Sequence, residues 1–268
     1  MSQQRITLEI ENNIAIVRLN RADKHNAIDM AMFQALDKVS KKLCQNKAIR
    51  AVFLCGNGED FCSGLDVKSV LNEKSNILKL LFKFIPGSSN LAQRVSTNWR
   101  KIPVPVIAII QGRCWGGGLQ IALGADFRIT TPDATLSIME AKWGLIPDMG
   151  ANLALRELVN IDVAKQLAMT GKIIPAEQAL GYGLISQIAD DPYQAAQQFI
   201  KPFAERSPDS VAAVKKLYNN TWNKKSWHIL AKESWYQIKV ILGKNQRRAV
   251  NKQLKPEQAT NFENRQNW

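Results

Sequence analysis

The sequence predicts an α/β protein whose last quarter is helical. Three observations predict this class: two strand patterns precede an amphipathic helix, apolar strand patterns then recur up to about residue 138, and none follows residue 195. Of the 268 residues, 46% are apolar and 22% are charged, which is the composition of a folded globular protein and excludes a disordered chain. We therefore expect one core with an extension.

The first strand, strand and helix occupy residues 6–43. Residues 6–11 alternate between apolar and polar, residues 14–19 are mostly apolar, and the two asparagines between them predict a hairpin. Apolar residues at helical spacing predict a helix over 30–43. This order predicts a ββα unit.

The later elements follow from the same signals. The apolar run 51–55 predicts a buried strand, and the run 104–111 predicts another strand that leads into three consecutive glycines. Beyond the glycines, the pattern predicts short strands over 127–131 and 134–138 and helices over 119–124, 151–159, 211–218 and 227–242.

Two apolar regions have open interpretations. Residues 77–85 are strongly apolar, and they predict either a core helix or a wall or lid over an apolar ligand. Trp222, Trp227 and Trp235 in the helical region predict a surface that is covered, and a neighbouring subunit is one candidate for covering it.

The net charge is +13, from 36 Lys and Arg against 23 Asp and Glu. A positive field attracts polyanions such as nucleic acid or a phosphorylated cofactor. The basic residues are scattered, however, and form denser clusters only within 38–47 and 244–255, which indicates general surface charge.

The four cysteines show no metal-ligand spacing and fit a reducing, cytoplasmic setting. They are Cys44, Cys55, Cys62 and Cys114. No signal peptide, transit peptide or membrane-spanning run is expected from the sequence. We therefore expect a cytoplasmic protein.

Two glycine-containing segments predict a site for an oxyanion. Gly116, Gly117 and Gly118 stand between an apolar strand and a helix, where glycine lets the backbone approach a ligand and the first helical N–H groups carry partial positive charge. The alternative is a tight turn with close helix packing. Gly64 provides a second bend, which could direct the N–H of Leu65 into the same cavity. Two converging N–H donors would form an oxyanion hole.

Five segments together resemble the enoyl-CoA hydratase/isomerase family, the crotonase superfamily. These segments are LNRADKHNA at 19–27, FCSGLDVK at 61–68, QGRCWGGG at 111–118, ADFR at 125–128 and WGLIP at 143–147. The resemblance implies a crotonase-like spiral of ββα units over residues 1–200 that binds acyl-CoA. It also implies a helical C-terminal region, residues 201–268, that mediates oligomerisation.

The resemblance also implies roles for individual residues. Leu65 and Gly117 match the oxyanion-hole positions, where the thioester carbonyl would bind, and Lys24 and Lys68 could pair with phosphates of coenzyme A. The residues implied to bind the coenzyme A part of the substrate are Lys24, His25, Ala27, Ser63, Gly64, Leu65, Asp66, Val67, Lys68 and Gly117. Coenzyme A is part of the substrate, so no separate cofactor is expected, and no metal is expected.

Three positions that the resemblance implies to be acidic or polar distinguish hydration from isomerisation. Glu140 matches the glutamate that moves the proton at the α-carbon, but the second glutamate of a typical hydratase is replaced by Gln120, which cannot accept a proton. Asp148 matches a second acid of the dienoyl-CoA isomerases, and its alternative role is that of a turn or helix-cap residue. The leading hypothesis is an enoyl-CoA hydratase/isomerase that acts through Glu140. The alternative is a Δ3,Δ2-enoyl-CoA or dienoyl-CoA isomerase that uses Glu140 with Asp148.

The expected partners are an acyl-CoA thioester and further copies of the chain, as a homotrimer or a dimer of trimers. Two non-enzymatic hypotheses stay open: a coenzyme A-binding protein without chemistry, which Gln120 favours, and RNA binding through the basic helix that contains Lys41 and Lys42. His25 and His228 are the only histidines and lie away from the acids in the family pattern, so metal and Ser-His catalysis are not expected.

Overall fold

The structure is a computed structural model that describes residues 4–268, apart from the side chains of Leu71 and Lys74. Residues 1–3, with which the predicted core begins, lie outside the described residues. The described chain contains a six-stranded sheet, a three-stranded sheet and helices, which confirms the predicted α/β class.

The strands form two sheets. The strands are β1 (Ile6–Glu11), β2 (Ile14–Leu19), β3 (Ala51–Gly56), β4 (Val106–Ile110), β5 (Arg113–Trp115), β6 (Phe127–Thr130), β7 (Thr135–Ser137), β8 (Ile174–Pro175) and β9 (Gln187–Ile188). The six-stranded sheet has the order β1-β2-β3-β4-β6-β9, and β5, β7 and β8 form the second sheet.

The helices alternate with these strands along the chain, and the last four of them follow the last strand. They are α1 (Met30–Gln45), α2 (Val67–Leu71), α3 (Lys74–Leu81), α4 (Leu91–Lys101), α5 (Gly117–Ala122), α6 (Asn152–Leu158), α7 (Ile161–Thr170), α8 (Ala176–Gly181), α9 (Pro192–Ala204), α10 (Pro208–Thr221), α11 (Ser226–Ile241) and α12 (Lys244–Leu254).

Local sequence accounts for the first ββα unit. Asn12 and Asn13 both have positive φ, of 49° and 64°, which short polar side chains tolerate and which suits the tight turn between the antiparallel strands β1 and β2. Asp29 caps α1 by accepting a hydrogen bond from the N–H of Met32 at 2.8 Å. The predicted hairpin and first helix are confirmed.

The parallel strands bring three loops to one edge of the sheet. β2, β3 and β4 run parallel, so their carboxyl ends lie on the same side. The first loop (20–28) follows β2, the second loop (57–66) follows β3, and the third loop (111–117), which includes β5, follows β4. All residues of β3 and β4 are buried, because helices cover both faces of the sheet. The second and third of these loops contribute residues to the cavity described below.

The segment 77–85 differs from one of its two interpretations. Leu80 is buried, but Leu78 is 67% exposed and Phe84, after the end of α3, is 92% exposed. The core-helix interpretation is therefore wrong, because α3 places only part of its surface against neighbouring elements.

Strand β4 is also shorter than the predicted 104–111, since Pro105 has no N–H to donate to a ladder.

Helix α10 is fixed to the core by a buried lysine. Lys215 Nζ donates hydrogen bonds to the carbonyl oxygens of Trp99 and Val104, at 3.1 and 2.9 Å, and pairs with Asp126 at 2.6 Å.

The predicted helices over 211–218 and 227–242 are confirmed as parts of α10 and α11. The division at residue 200 stays a prediction, and so does the covering of the exposed tryptophans by a neighbouring subunit. None of the helices in residues 4–268 has the length and apolar character that crossing a membrane requires.

Candidate active site

A cavity of about 190 Å³ lies where the second and third loops meet the segment 139–149. Both predicted oxyanion-hole residues and all three predicted acid or amide residues line it. The lining residues are Ser63, Gly64, Leu65, Val67, Gly116, Gly117, Gln120, Met139, Glu140, Trp143, Leu145, Ile146, Asp148 and Met149. The fold therefore brings together residues that are up to 86 positions apart in the sequence.

The two glycine-containing loops approach each other closely. Gly64 has a φ of +102°, and a Cβ atom added to it would lie 3.0 Å from the carbonyl oxygen of Trp115 and 3.6 Å from the nitrogen of Gly117. Gly116 has a φ of +50°, and its N–H donates to the carbonyl of Ser137 at 2.8 Å. Only glycine fits such a backbone approach without strain.

The N–H groups of Leu65 and Gly117 are available to a ligand. Leu65 follows the bend at Gly64, and Gly117 is the first residue of α5, so its N–H has no acceptor within the helix. Within residues 4–268, neither N–H donates a hydrogen bond to the protein. Both residues line the cavity, which is the arrangement that an oxyanion hole requires.

Glu140 is held by Gln120. The amide Nε2 of Gln120 donates to Glu140 Oε1 at 2.6 Å, and the amide Oε1 of Gln120 accepts from the N–H of Met149 at 2.9 Å. Because the backbone N–H of Met149 can only donate, the amide oxygen of Gln120 must face it, and the Nε2 of Gln120 therefore faces the carboxylate. The second oxygen of Glu140, Oε2, is buried and has no hydrogen-bond partner in the described part of the chain. Glu140 thus carries one satisfied and one free carboxylate oxygen.

The surroundings raise the pKa of both acids. Burial is the largest influence on Glu140 and raises its pKa above the ordinary value; the hydrogen bond from Gln120 opposes this rise, and the nearby charge of Asp148 adds to it. Partial desolvation also raises the pKa of Asp148, although the residue is exposed. Raised carboxylate pKa values suit groups that accept and return protons.

The predicted coenzyme A residues divide into two groups. Ser63, Gly64, Leu65, Val67 and Gly117 line the cavity. The remaining five, which do not line it, are Lys24, His25, Ala27, Asp66 and Lys68.

The second group contains both exposed and engaged side chains. Lys24 and Lys68 are exposed. Asp66 is held by Arg21 at 2.8 Å and caps α2 by accepting from the N–H of Ser69, so its charge is already compensated. His25 lies 2.8 Å from Asp60, through Nδ1.

The sequence prediction missed the apolar part of the cavity. Met139 and Met149 flank the acids, and Trp143, Leu145 and Ile146 form the outer side, where they are exposed. Their positions directly beside Glu140 and Asp148 in the sequence were the signal that could have predicted them.

Within residues 4–268, no three His, Cys, Asp or Glu side chains form a group that could hold a metal ion.

Comparison with known proteins places this fold and cavity in a family. The chain matches the family model described as enoyl-CoA hydratase/isomerase over residues 9–262. It is 31% identical over 219 residues to (E)-benzylidenesuccinyl-CoA hydratase from Thauera aromatica, which covers 78% of this chain and 80% of that protein. It is 29% identical over 213 residues to the mitochondrial Delta(3,5)-Delta(2,4)-dienoyl-CoA isomerase of Rattus norvegicus, covering 76% of this chain and 65% of that protein.

A solved structure shows the same fold. The crystal structure of enoyl-CoA hydratase from Bacillus anthracis matches with a TM-score of 0.85 and 25% identity, covering 97% of this chain and 99% of that one. The fold and cavity thus define a crotonase-like ββα protein with acids beside two backbone donors. The chain belongs to the enoyl-CoA hydratase/isomerase family and is an enzyme of that family, which confirms the resemblance found in the sequence.

The coupling between the two acids gives a testable titration. Replacing Asp148→Asn removes a negative charge that favours the protonated form of Glu140, so we expect the pKa of Glu140 to fall. Side-chain ¹³C NMR of labelled glutamates, assigned with Glu140→Gln, measures this pKa. The exposed Asp162→Asn variant is the control and should leave it unchanged. An unchanged or higher Glu140 pKa in Asp148→Asn contradicts the coupling.

Proposed function

We propose that the protein is an acyl-CoA enzyme that moves the carbon–carbon double bond of an enoyl-CoA thioester, with Glu140 as the proton carrier. The observation that carries this proposal is the free, buried carboxylate oxygen of Glu140, in a cavity that Leu65 and Gly117 also line. A base beside two N–H donors can remove a proton next to a carbonyl while the donors stabilise the resulting negative oxygen.

The proposed reaction moves one proton and keeps all atoms in the substrate. Glu140 removes a proton from C2 of a 3-enoyl-CoA, and the electron pair enters the conjugated enolate, whose oxygen accepts hydrogen bonds from Leu65 and Gly117. Glu140 then returns the proton to C4, so that the double bond shifts from C3–C4 to C2–C3. No further cofactor is needed, because nothing is oxidised or added.

Asp148 is proposed as a second proton carrier for longer conjugated substrates. It lines the same cavity as Glu140, and partial desolvation keeps its pKa above the ordinary value. In a 3,5-dienoyl-CoA the proton leaves C2 and another arrives at C6, which is too distant for one carboxylate to serve without moving. Two acids in one cavity make this variant of the reaction accessible.

Hydration of a 2-enoyl-CoA is the second candidate. It is favoured by the identity of 31% to a relative named as a hydratase. Against it stands Gln120, whose Nε2 is bonded to Glu140 and whose Oε1 is bonded to Met149, so neither atom is a base for water. Loss of a positioned base typically lowers a rate by about 10² to 10⁴. We therefore favour isomerisation.

The rest of the substrate and the assembly are part of the same proposal. We propose that residues 63–68 contact the pantetheine, that Lys24 and Lys68 pair with phosphates, and that three copies, or two sets of three, associate through the helices after residue 200. Exposed Trp222, Trp227 and Trp235 support this association. The four free cysteines support a reducing cytoplasmic setting.

Glu140→Gln tests the proposed base. It keeps the size of the side chain and removes its ability to accept a proton, so isomerisation of a 3-enoyl-CoA should fall by about 10² to 10⁴ while the thioester still binds. The rate of 2-enoyl-CoA formation and the dissociation constant are measured together. Glu157→Gln, at an ion pair with Arg100 outside the cavity, is the matched control and should retain activity. Full activity of Glu140→Gln would sink the proposal.

Gln120→Glu tests why isomerisation is favoured over hydration. A second carboxylate at this position could activate water, so we expect hydration of a 2-enoyl-CoA to rise by about 10² or more. Isomerisation should fall, because a like charge beside Glu140 raises its pKa further. Exposed Gln166→Glu is the control for the added charge. If the unmodified protein already hydrates 2-enoyl-CoA faster than it isomerises 3-enoyl-CoA, hydration is the function.

A further inference from the structure

A buried carboxylate outside the cavity joins the three loops at this edge of the sheet. Asp60 belongs to the second loop, is 4% exposed and does not line the cavity. Its side chain contacts the third loop through Arg113 and the first loop through His25. It therefore contacts both loops that flank its own.

The hydrogen bonds of Asp60 leave little freedom to its neighbours. Asp60 Oδ1 accepts from the backbone N–H of Arg113 at 2.8 Å and from its side-chain Nε at 2.9 Å. Asp60 Oδ2 lies 2.8 Å from His25 Nδ1, which donates to it. The Nη2 of Arg113 also lies 3.1 Å from this Nδ1, but a nitrogen that donates its proton to Asp60 cannot accept one from Arg113. The carboxylate is thus the common partner of both.

Close packing holds the carboxylate in place. A Cβ atom added to Gly112 would lie 2.7 Å from Asp60 Oδ1. The backbone carbonyl of Asp60 accepts from the side-chain amide of the buried Asn26 at 2.8 Å, which adds a second link to the first loop. Burial is the largest single influence and raises the pKa of Asp60. The hydrogen bonds and the charge of Arg113, together with the hydrogen bond from His25, lower the pKa below its ordinary value, so the carboxylate is charged.

The chain between Asp60 and the two donors is short and paired. The N–H of Cys62 donates to the carbonyl of Arg113 at 2.9 Å, and the N–H of Trp115 donates to the carbonyl of Cys62 at 3.0 Å. This ladder also includes the hydrogen bond from the N–H of Phe61 to the carbonyl of Gln111, at 2.8 Å, and it lies beside the Asp60–Arg113 contact. It ends at the bends after which Leu65 and Gly117 present their N–H groups. Its register therefore sets how far apart the two donors lie.

We propose that Asp60 is a positioning residue, which sets the separation of the Leu65 and Gly117 N–H groups by fixing the third loop against the second. Asp60 does not touch the substrate and acts only through the loops. The inference rests on the proposed function, because it assigns a role within the oxyanion hole. A displacement of about 1 Å in catalytic groups can lower a rate by about 10²-fold.

The test uses a bound chromophore, because a substitution that affects only the stability of the fold would not change the absorption spectrum of the chromophore. 3-Phenylpropenoyl-CoA absorbs at longer wavelength when its thioester carbonyl is polarised, so its spectrum reports on the two donors directly. In Asp60→Asn, an NH2 group replaces one carboxylate oxygen. Facing Arg113 it opposes another donor, and facing His25 it requires the other imidazole tautomer, so in either orientation the two loops lose their shared charged acceptor. We expect a smaller red shift, a fall of up to about 10²-fold in kcat for 3-enoyl-CoA isomerisation, and little change in KM.

Two further variants make the result specific. Asp209→Asn removes a buried, multiply bonded carboxylate that holds Asn245 and Trp268 far along the chain, and it should lower the melting temperature while keeping the red shift. Arg113→Gln removes the Nε donor but keeps the backbone N–H, so it should reduce the red shift by less than Asp60→Asn does. It is also the variant to measure if Asp60→Asn does not fold.

The outcomes separate this inference from the proposed function. A red shift in the unmodified protein that shrinks in Asp60→Asn or Arg113→Gln, and not in Asp209→Asn, supports the positioning role. A red shift in the unmodified protein that both loop variants keep in full overturns it. If the unmodified protein binds the chromophore without any red shift, the oxyanion hole itself, and with it the proposed function, is wrong.

Discussion

The site depends on the close contact between the second and third loops. Beside the two N–H donors, Gly64 faces the carbonyl of Trp115 at a distance that leaves no room for a side chain, and both loops turn through glycines of positive φ. The polar groups at this contact are therefore backbone groups. Backbone N–H groups have no rotamers, so the path of the main chain sets where they point. Three parallel strands, which end at one edge of the sheet, supply the loops and hold them there.

Backbone donors can polarise a carbonyl, but the transfer of a proton requires a group that titrates. In our proposal Glu140 is that group. Burial, which is the largest influence, and the charge of Asp148 raise its pKa, while hydrogen bonds from its own backbone N–H and from the amide of Gln120 lower it. The glutamine is neutral at every pH and is oriented by the N–H of Met149. It therefore supports the charged form of Glu140 without competing for its proton, which a second glutamate would do.

The sequence predicted the parts of this protein that have strong local signals. The hairpin at Asn12 and Asn13, the helix α1 and the glycine run were predictable, because turn residues and periodicity act locally. Strands β8 and β9 have two residues each and depend on pairing with distant strands, so no local pattern indicates them. Resemblance found Glu140, Gln120 and Asp148. It gave no role to Asp60, whose importance comes from contacts with His25 and Arg113 that are 35 and 53 residues away.

A crystal structure with a bound saturated acyl-CoA, which has no double bond to move, would show where the thioester binds in the cavity. We expect the thioester carbonyl oxygen to lie about 2.7–3.2 Å from the backbone nitrogens of both Leu65 and Gly117. We also expect C2 to lie next to the free Oε2 of Glu140. A thioester carbonyl that contacts neither nitrogen would rule out the oxyanion hole, and a C2 on the side of the cavity away from Glu140 would rule out Glu140 as the base.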